Sequence, residues 1–157
     1  MLLTTALLTQ IGIFCQGQAW AHAGAIPETI DINGPFPDER IGLETTMGNI
    51  RGHIGGALEW VCHETVTSSD ALITPRYAEN ANGVVLANVG DRQQARSTNH
   101  ALYRTNDGCD WVEISDLAGQ RIADVAFDPQ NQNIALAVTA NAEGPNWLYR
   151  SEDAGVT

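Results

Sequence analysis

Short apolar runs separated by polar turns dominate the chain from about Asn49 onward. Runs rich in Val, Ile, Leu, Trp and Tyr alternate with clusters of Gly, Asn and Asp, a pattern typical of β-strands joined by tight turns. After residue 21, no segment carries the apolar spacing of an amphipathic helix. The predicted strands are Leu58–Cys62, Val84–Val89, Ala101–Thr105, Trp111–Ser115, Ile122–Phe127, Asn133–Thr139 and Trp147–Ser151.

This strand pattern repeats at a nearly fixed interval. Leu102–Asp107 matches Leu148–Asp153 about 46 residues further on, and such self-similarity is the signature of a repeat architecture. Ile73–Ala87 aligns in the same way with Ile122–Leu136. A unit of about 45–50 residues with four short strands has the size of a β-propeller blade. The predicted fold is therefore all-β, an incomplete β-propeller of about two to three four-stranded antiparallel blades after an N-terminal signal segment.

Composition divides the chain into three parts. Residues 1–21 hold no charged side chain and end in a small-x-small pattern, so we interpret them as a signal peptide cleaved after Ala21 or Ala23. Residues 22–48 contain several Pro, Gly and acidic residues with little periodicity, which predicts a loop-rich leader or linker. Residues 49–157 hold the predicted blades, and the last repeat is interrupted, so we expect a propeller truncated at its C-terminus.

A membrane anchor is the alternative to a cleaved signal. The apolar run Leu2–Phe14 is shorter than the roughly 20 residues that span a bilayer, and Gln10 and Gly12 break it. Cys15 would suit a lipid anchor, but bulky residues precede it where small ones are expected. We therefore expect a secreted, periplasmic or cell-surface protein with no membrane span in its mature chain.

Two turn segments resemble the Asp-box, also called the BNR repeat, whose usual form is Ser/Thr-x-Asp-x-Gly-x-Thr-Trp. The positions that carry the resemblance are Thr105, Asp107, Gly108 and Trp111 in the first copy, and Ser151, Asp153, Gly155 and Thr157 in the second. The first copy is one residue shorter between its Asp and its Trp, and it has Asp110 in place of the Thr. Gly55–Trp60 resembles a third, decayed copy without its Asp. The resemblance covers roughly residues 49–157 and implies a propeller of the superfamily that includes sialidases, sortilin-type receptor domains and photosystem-assembly factors.

The resemblance implies a structural role for these residues, because the motif of this family caps a hairpin at the blade periphery, away from the ligand face. The residue chemistry agrees: the carboxylates of Asp107 and Asp153 suit acceptance of turn N–H bonds, and the glycines supply a positive φ. The Ser or Thr hydroxyl adds local bonds, and the Trp covers the turn. Arg104 and Arg150 recur with the repeat, which predicts pairing with a carboxylate of a neighbouring blade.

Charge and side-chain chemistry limit the classes of partner and cofactor that we expect the chain to bind. The chain has 8 Lys and Arg against 19 Asp and Glu, a formal net charge of −11, which disfavours nucleic acid and anionic membranes as partners. Its histidines lack zinc spacing and it has no phosphate-binding loop, so no metal or cofactor is predicted. Cys62 and Cys109 remain after removal of the signal, and an even pair in an oxidising compartment favours a disulfide between them. Two separate buried thiols are the alternative.

Two functions are left open. The first is a secreted, non-enzymatic binding or scaffold protein that uses its blade loops to bind a protein or glycan partner. The alternative is a sialidase-like glycoside hydrolase whose catalytic residues lie in further C-terminal blades. Sialidases need clustered arginines to hold a carboxylate, and neither Arg40-Ile41-Gly42 nor Arg121-Ile122-Ala123 replaces their Arg-Ile-Pro segment. The repeat pattern places Tyr77 and Glu79 in an inter-strand turn, so we predict no catalytic residue in this chain.

Overall fold

A computed structural model of the chain describes residues 29–34, 36–45, 48–62, 65–66, 75–90 and 100–157. The predicted signal peptide, residues 1–21, lies outside the described residues. The described part is all-β, as the sequence predicts, with no α-helix. Among these residues no helix has the length and apolar character that a membrane crossing requires.

The strands form three antiparallel sheets. Sheet 1 contains β1–β4, sheet 2 contains β5–β8, and sheet 3 contains β9–β11; strands that follow each other in sequence are neighbours in the sheet. The bounds are β1 (Thr29–Asn33), β2 (Arg40–Thr45), β3 (Gly48–His53), β4 (Leu58–Cys62), β5 (Arg76–Glu79), β6 (Val85–Val89), β7 (Ala101–Thr105), β8 (Val112–Glu113), β9 (Ile122–Phe127), β10 (Ala135–Thr139) and β11 (Leu148–Ser151). A short 3-10 turn, Ser115–Leu117, lies between β8 and β9.

Strand registers align the three sheets with each other. Arg51, Arg104 and Arg150 occupy equivalent positions in the third strands of sheets 1, 2 and 3. They pair with Gly42, Leu86 and Leu136, each the second or third residue of its second strand. In a strand, successive side chains point to opposite faces. Counting from these arginines therefore identifies which residues of each sheet share a face with them.

Sheet 2 packs one face against sheet 3 through an apolar cluster. Every member is buried, and the two sheets contribute about equally. The members are Ala78, Leu86, Leu102, Ile114 and Leu117 from sheet 2 and the turn after it, and Ile122, Val125, Ala135 and Ala137 from sheet 3. Burial of this apolar surface provides the main stabilisation between these two sheets.

The opposite face of sheet 2 looks toward sheet 1. It carries the buried residues Tyr77, Val85, Ala87 and Val89, with Tyr103 and Trp111 packed against them. Glu44 of β2 reaches across from sheet 1: its carboxylate accepts the Tyr77 N–H at 3.1 Å and lies 3.0 Å from Arg76 Nη1. Sheet 2 is thus the middle layer of a three-sheet stack.

Most strands downstream of residue 58 follow the sequence prediction. β4, β7 and β9 have the predicted bounds, and β6, β10 and β11 begin one or two residues later than predicted. β8 is shorter than the predicted strand Trp111–Ser115, because the 3-10 turn begins at Ser115.

The structure differs from the sequence prediction at the start of the described region. The segment 22–48, predicted to be loop-rich, contains β1 and β2, and its last residue begins β3. β5 was also not predicted as a strand, and the placement of Tyr77 and Glu79 in a turn is wrong, since both lie in β5 and are buried. The reason is that polar side chains occupy inward positions: Glu44 and Asn49 are buried. The alternation of polar and apolar residues in the sequence therefore does not indicate which side of these strands is buried.

Candidate functional site

The turn between β7 and β8 is held together by two side chains. Asp107 Oδ1 accepts the N–H groups of Cys109 at 2.8 Å and Asp110 at 3.0 Å. The Thr105 hydroxyl donates to the same carboxylate at 2.9 Å and accepts the Gly108 N–H at 2.9 Å. The Asp110 and Cys109 N–H groups and the Thr105 hydroxyl hold the pKa of Asp107 below its usual value, because hydrogen bonds to the ionised form favour it.

The turn after β11 repeats this arrangement. The Ser151 hydroxyl donates to Asp153 Oδ1 at 2.6 Å and accepts the Gly155 N–H at 2.9 Å. Asp153 Oδ1 accepts the N–H groups of Val156 at 2.9 Å and Thr157 at 3.0 Å. Bonds from the Ser151 and Thr157 side chains lower the pKa of Asp153 well below its usual range. The two aspartates therefore act on their own turns, and both carboxylates are engaged by donors within the turn.

A glycine with positive φ occupies the same place in the third-to-fourth-strand turn of sheets 1 and 2 and in the turn after β11. Gly55, Gly108 and Gly155 have φ values of 77°, 80° and 79°, a region that side chains with a Cβ rarely adopt. In sheet 1, Ile54 stands where Asp107 stands in sheet 2, so this turn keeps the backbone path without the carboxylate. The strand register equates Leu58 with Trp111, because Arg51 pairs with Glu59 as Arg104 pairs with Val112.

The recurring arginines join each sheet to the next turn. Arg51 Nη2 donates to the carbonyl oxygen of Asp107 at 2.5 Å, and Arg104 Nε donates to the carbonyl oxygen of Ala154 at 3.0 Å. In both cases the acceptor is the residue before the positive-φ glycine. The prediction that Arg104 pairs with a neighbouring carboxylate is therefore wrong: it bonds a main-chain carbonyl. Arg150 pairs with Glu152 of its own turn.

Cys109 is disulfide-bonded. The side chain of Cys62 lies outside the described residues, so its bond to Cys109 stays a prediction. Val61 Cγ2 of β4 lies only 3.1 Å from the point where a Cβ on Gly108 would stand. The end of β4 and the turn of sheet 2 are therefore side by side.

A groove of 870 Å³ runs along the first strands of sheets 2 and 3. Phe36 and Pro37 of the β1–β2 turn close one end, and Arg76 of β5 and Asp124 of β9 line its length. The Arg76 guanidinium is held by the buried Glu44 carboxylate at 3.0 Å, which fixes its position in the groove wall. The surface thus combines a fixed cation, an exposed carboxylate and an aromatic ring, groups suited to binding hydroxyl, amide or charged groups of a partner.

The described residues contain no group of three or more His, Cys, Asp or Glu side chains arranged to hold a metal ion. The two arginines considered for a carboxylate-binding cluster are engaged elsewhere. Arg40 donates to the carbonyl oxygen of Asn80 at 3.1 Å, and Arg121 donates to that of Ala140 at 3.2 Å. Both contacts tie together segments of the fold.

A second cavity, of 230 Å³, lies between sheets 2 and 3 beside their apolar cluster. Leu86, Leu102, Val125 and Tyr149 are among its lining residues, so it is mainly apolar. It belongs to the packing between the sheets.

Neither models of known protein families nor curated proteins match the sequence of this chain. The contacts of the chain itself therefore carry the functional assignment.

Proposed function

We propose that this chain forms blades of an Asp-box β-propeller and acts as a non-enzymatic binding or scaffold protein outside the cytoplasm. The observation that carries the proposal is the duplicated turn. Thr105 and Asp107 make the same hydrogen bonds as Ser151 and Asp153, at the same place in successive sheets.

Three further features support a propeller. The sheets are antiparallel meanders of three or four strands, they stack face to face through buried clusters, and an arginine of one sheet bonds the turn of the next at both junctions. Repetition of a unit through equivalent contacts with its neighbours is how radial and solenoid repeat folds are built.

The groove along the first strands is the proposed binding surface. First strands lie nearest the axis of a propeller, where a continuous channel is formed by all blades. The exposed Asp124 and the fixed Arg76 offer hydrogen-bonding and charged groups to a protein or glycan. We assign the Asp-box carboxylates no part in this surface, because both are hydrogen-bonded within their own turns, Asp107 through Oδ1 and Asp153 through both oxygens.

Location outside the cytoplasm is supported by two observations. Residues 1–21 have the composition of a signal peptide, and Cys109 is disulfide-bonded. Disulfides persist in oxidising compartments and are rare in the cytosol.

The proposal is tested with the full chain on arrays of neutral and acidic oligosaccharides and against extracytoplasmic proteins of its host. Asp124→Arg reverses a charge in the groove, and Glu143→Arg makes the same change on the exposed β10–β11 loop as a matched control. We expect a partner whose affinity falls about tenfold or more with the groove variant and is unchanged in the control. Turnover of aryl glycosides, or binding unaffected by Asp124→Arg, would contradict the proposal.

A further inference from the structure

A buried carboxyl group stands at the junction of sheets 1 and 2. Glu79, the last residue of β5, has no exposed side-chain surface, and Arg40 Nη1 of β2 lies 3.5 Å from its Oε1. The Asn49 side chain of β3 stands beside it. No donor among the described residues meets either carboxyl oxygen in hydrogen-bonding geometry. Because a buried carboxylate without hydrogen bonds is costly, this group favours its neutral, protonated form.

The neighbouring Arg40 has other acceptors. Its Nη2 donates to the main-chain carbonyl oxygens of Asn80, at 3.1 Å, and of Ala81, both in the turn between β5 and β6. The guanidinium lies so close to this turn that a Cβ on Gly83 would stand 2.6 Å from Nη1. Arg40 therefore ties sheet 1 to the β5–β6 turn of sheet 2 through carbonyl oxygens.

The carboxyl group of Glu79 and the two carbonyl oxygens compete for this guanidinium. When Glu79 is protonated it carries no charge, and Arg40 stays with the carbonyl oxygens. When Glu79 is ionised, two opposite charges attract each other in a poorly solvated place. The buried carboxylate then also requires water or donors that the closed junction does not supply. Loss of one proton thus favours an arrangement in which the guanidinium turns from the carbonyl oxygens to the carboxylate.

Sheet 1 supplies the other charged groups around this pair. Arg51 of β3 also acts on Glu79, but its guanidinium is held in the turn between β7 and β8. Asp38 lies on the solvent side, 3.5 Å from Arg40 Nε, and is half exposed. His53 Nε2 is 4.0 Å from Asp38 and is mostly exposed. His53 is therefore the one further titratable base that a test at this junction must control for.

The carboxyl groups of the other elements packed on β5 are already engaged. Glu44 of β2 is bound by the Arg76 guanidinium. Asp124 and Asp128 of sheet 3 each accept main-chain N–H groups of their own segments. Among these carboxyl groups, Glu79 alone is buried without a hydrogen bond.

We propose that Glu79 is a proton-controlled competitor for Arg40, so that loss of its proton weakens the tie between sheet 1 and the β5–β6 turn and uptake of the proton restores it. Burial raises the pKa of Glu79 above 4.5. The tie is therefore complete in acid and weakens as pH rises through that raised pKa. Two local arrangements with different proton affinity are what a pH-responsive contact requires. The device goes beyond the proposed binding function, because it requires no partner in the groove.

Hydrogen exchange of the full chain, followed by mass spectrometry between about pH 4.5 and pH 8, tests this proposal. Rates are corrected for the intrinsic effect of pH, and the protection of β2 is divided by that of β10, an internal reference in sheet 3. For the wild type we expect this ratio to fall about two- to fivefold as pH rises. Glu79→Gln cannot ionise and should hold the ratio constant. Glu59→Gln is the matched control, because it neutralises an exposed carboxylate 3.4 Å from Arg51 and should leave the wild-type response intact.

His53→Gln separates the two titratable groups of the junction, and the response should persist in it. A wild-type ratio that stays constant or rises with pH overturns the proposal without any variant, so it stays testable even if Glu79→Gln does not fold. A response that survives in folded Glu79→Gln, or one that Glu59→Gln or His53→Gln abolishes, overturns it as well. Binding in the groove is not measured in this experiment, so its outcome is independent of the proposed function.

Discussion

Both faces of sheet 2 carry buried apolar residues, but the two junctions differ in the polarity of the residues added to them. At the junction with sheet 3, Leu102 belongs to the buried apolar cluster and Phe127 packs against it. At the equivalent positions toward sheet 1 stand Asn49 and Glu79, both buried. The register that relates them is the same, since Glu79 pairs with Val85 as Phe127 pairs with Ala135. The junction with sheet 1 therefore combines an apolar cluster of sheet 2 with buried polar side chains, whereas the junction with sheet 3 is apolar at these positions.

What the two junctions share is backbone geometry at the turn. At each, an arginine of the earlier sheet bonds the carbonyl oxygen before a positive-φ glycine of the later one. A main-chain acceptor is independent of the side chain it belongs to, so Asp107 and Ala154 serve equally. The comparison teaches that the repeat conserves its turn contact while its interior residues vary in polarity.

Truncation of a side chain in the apolar cluster between sheets 2 and 3 should cause the largest loss of stability. Leu86 is almost fully buried between sheets 2 and 3, so Leu86→Ala should lower the free energy of unfolding by about 2–5 kcal/mol through lost transfer energy and a cavity. Chemical denaturation measures this, with the exposed Val112→Ala as control. A loss under about 1 kcal/mol would show that the cluster does not stabilise the stack.

At the polar junction, removal of the Glu44 carboxylate should have the next largest effect. Glu44→Ala eliminates the acceptor of the Tyr77 N–H and the partner of Arg76, and we expect a loss of about 1.5–3 kcal/mol. Glu59→Ala removes an exposed carboxylate 3.4 Å from Arg51 and should change stability by less than about 1 kcal/mol. Equal denaturation midpoints for the two variants would contradict the role assigned to Glu44.

A smaller effect is expected at the turn that both junctions use. Asp107→Ala leaves two turn N–H groups to water, and because they are near the surface we expect a loss of about 1 kcal/mol. The lowered pKa of Asp107 means that its contribution is complete above the ordinary value of 3.8 and is lost as pH falls through the folded-state pKa. Asp110→Ala in the same turn is the control. Equal acid unfolding curves for the two variants would contradict the expected loss of the Asp107 contribution at low pH.

The smallest effect concerns Glu79 and has the opposite pH dependence. Burial raises its pKa above 4.5, partly offset by the nearby Arg40 and Arg51 and the Asn49 amide. The folded chain therefore holds this proton to higher pH than the unfolded chain, so its contribution falls as pH rises from 4.5 through the raised pKa. Glu79→Gln should remove that decline and change stability at neutral pH by less than about 1 kcal/mol. Urea titrations between pH 4 and 8 measure the slope; a slope identical to that of the wild type would contradict the assignment.

The sequence predicts those strands whose buried residues are apolar. β6, β7, β9 and β10 were placed correctly because Val, Leu and Ala fill their inward positions. β2 and β5 were missed because Glu44 and Glu79 point inward and are buried, and hydropathy cannot distinguish an inward carboxylate from a solvated one. That distinction depends on the partner across the sheets, which is far away in sequence.

The turn residues were found from sequence, but the contact between sheets was not. A main-chain acceptor leaves no side-chain signal, so the partner of Arg104 was expected to be a carboxylate. A usable signal did exist in the spacing: Arg51 precedes Gly55, and Arg104 precedes Gly108, by the same number of residues. Both glycines have a positive φ. The shared spacing therefore identifies Arg51 and its turn as the equivalent of Arg104 and its turn, even though the turn of sheet 1 lacks the Asp of the motif.

Native-state hydrogen exchange tests the central comparison most directly. Sheets 1 and 3 each pack one face on sheet 2, through junctions of different polarity. We expect amides of β2 and β3 to exchange through a partial opening at lower free energy, and amides of β9 and β10 to exchange only with global unfolding, as partial openings follow the weakest packing. Equal protection of sheets 1 and 3, or stronger protection of sheet 1, would contradict the conclusion that the polar junction is the weaker of the two.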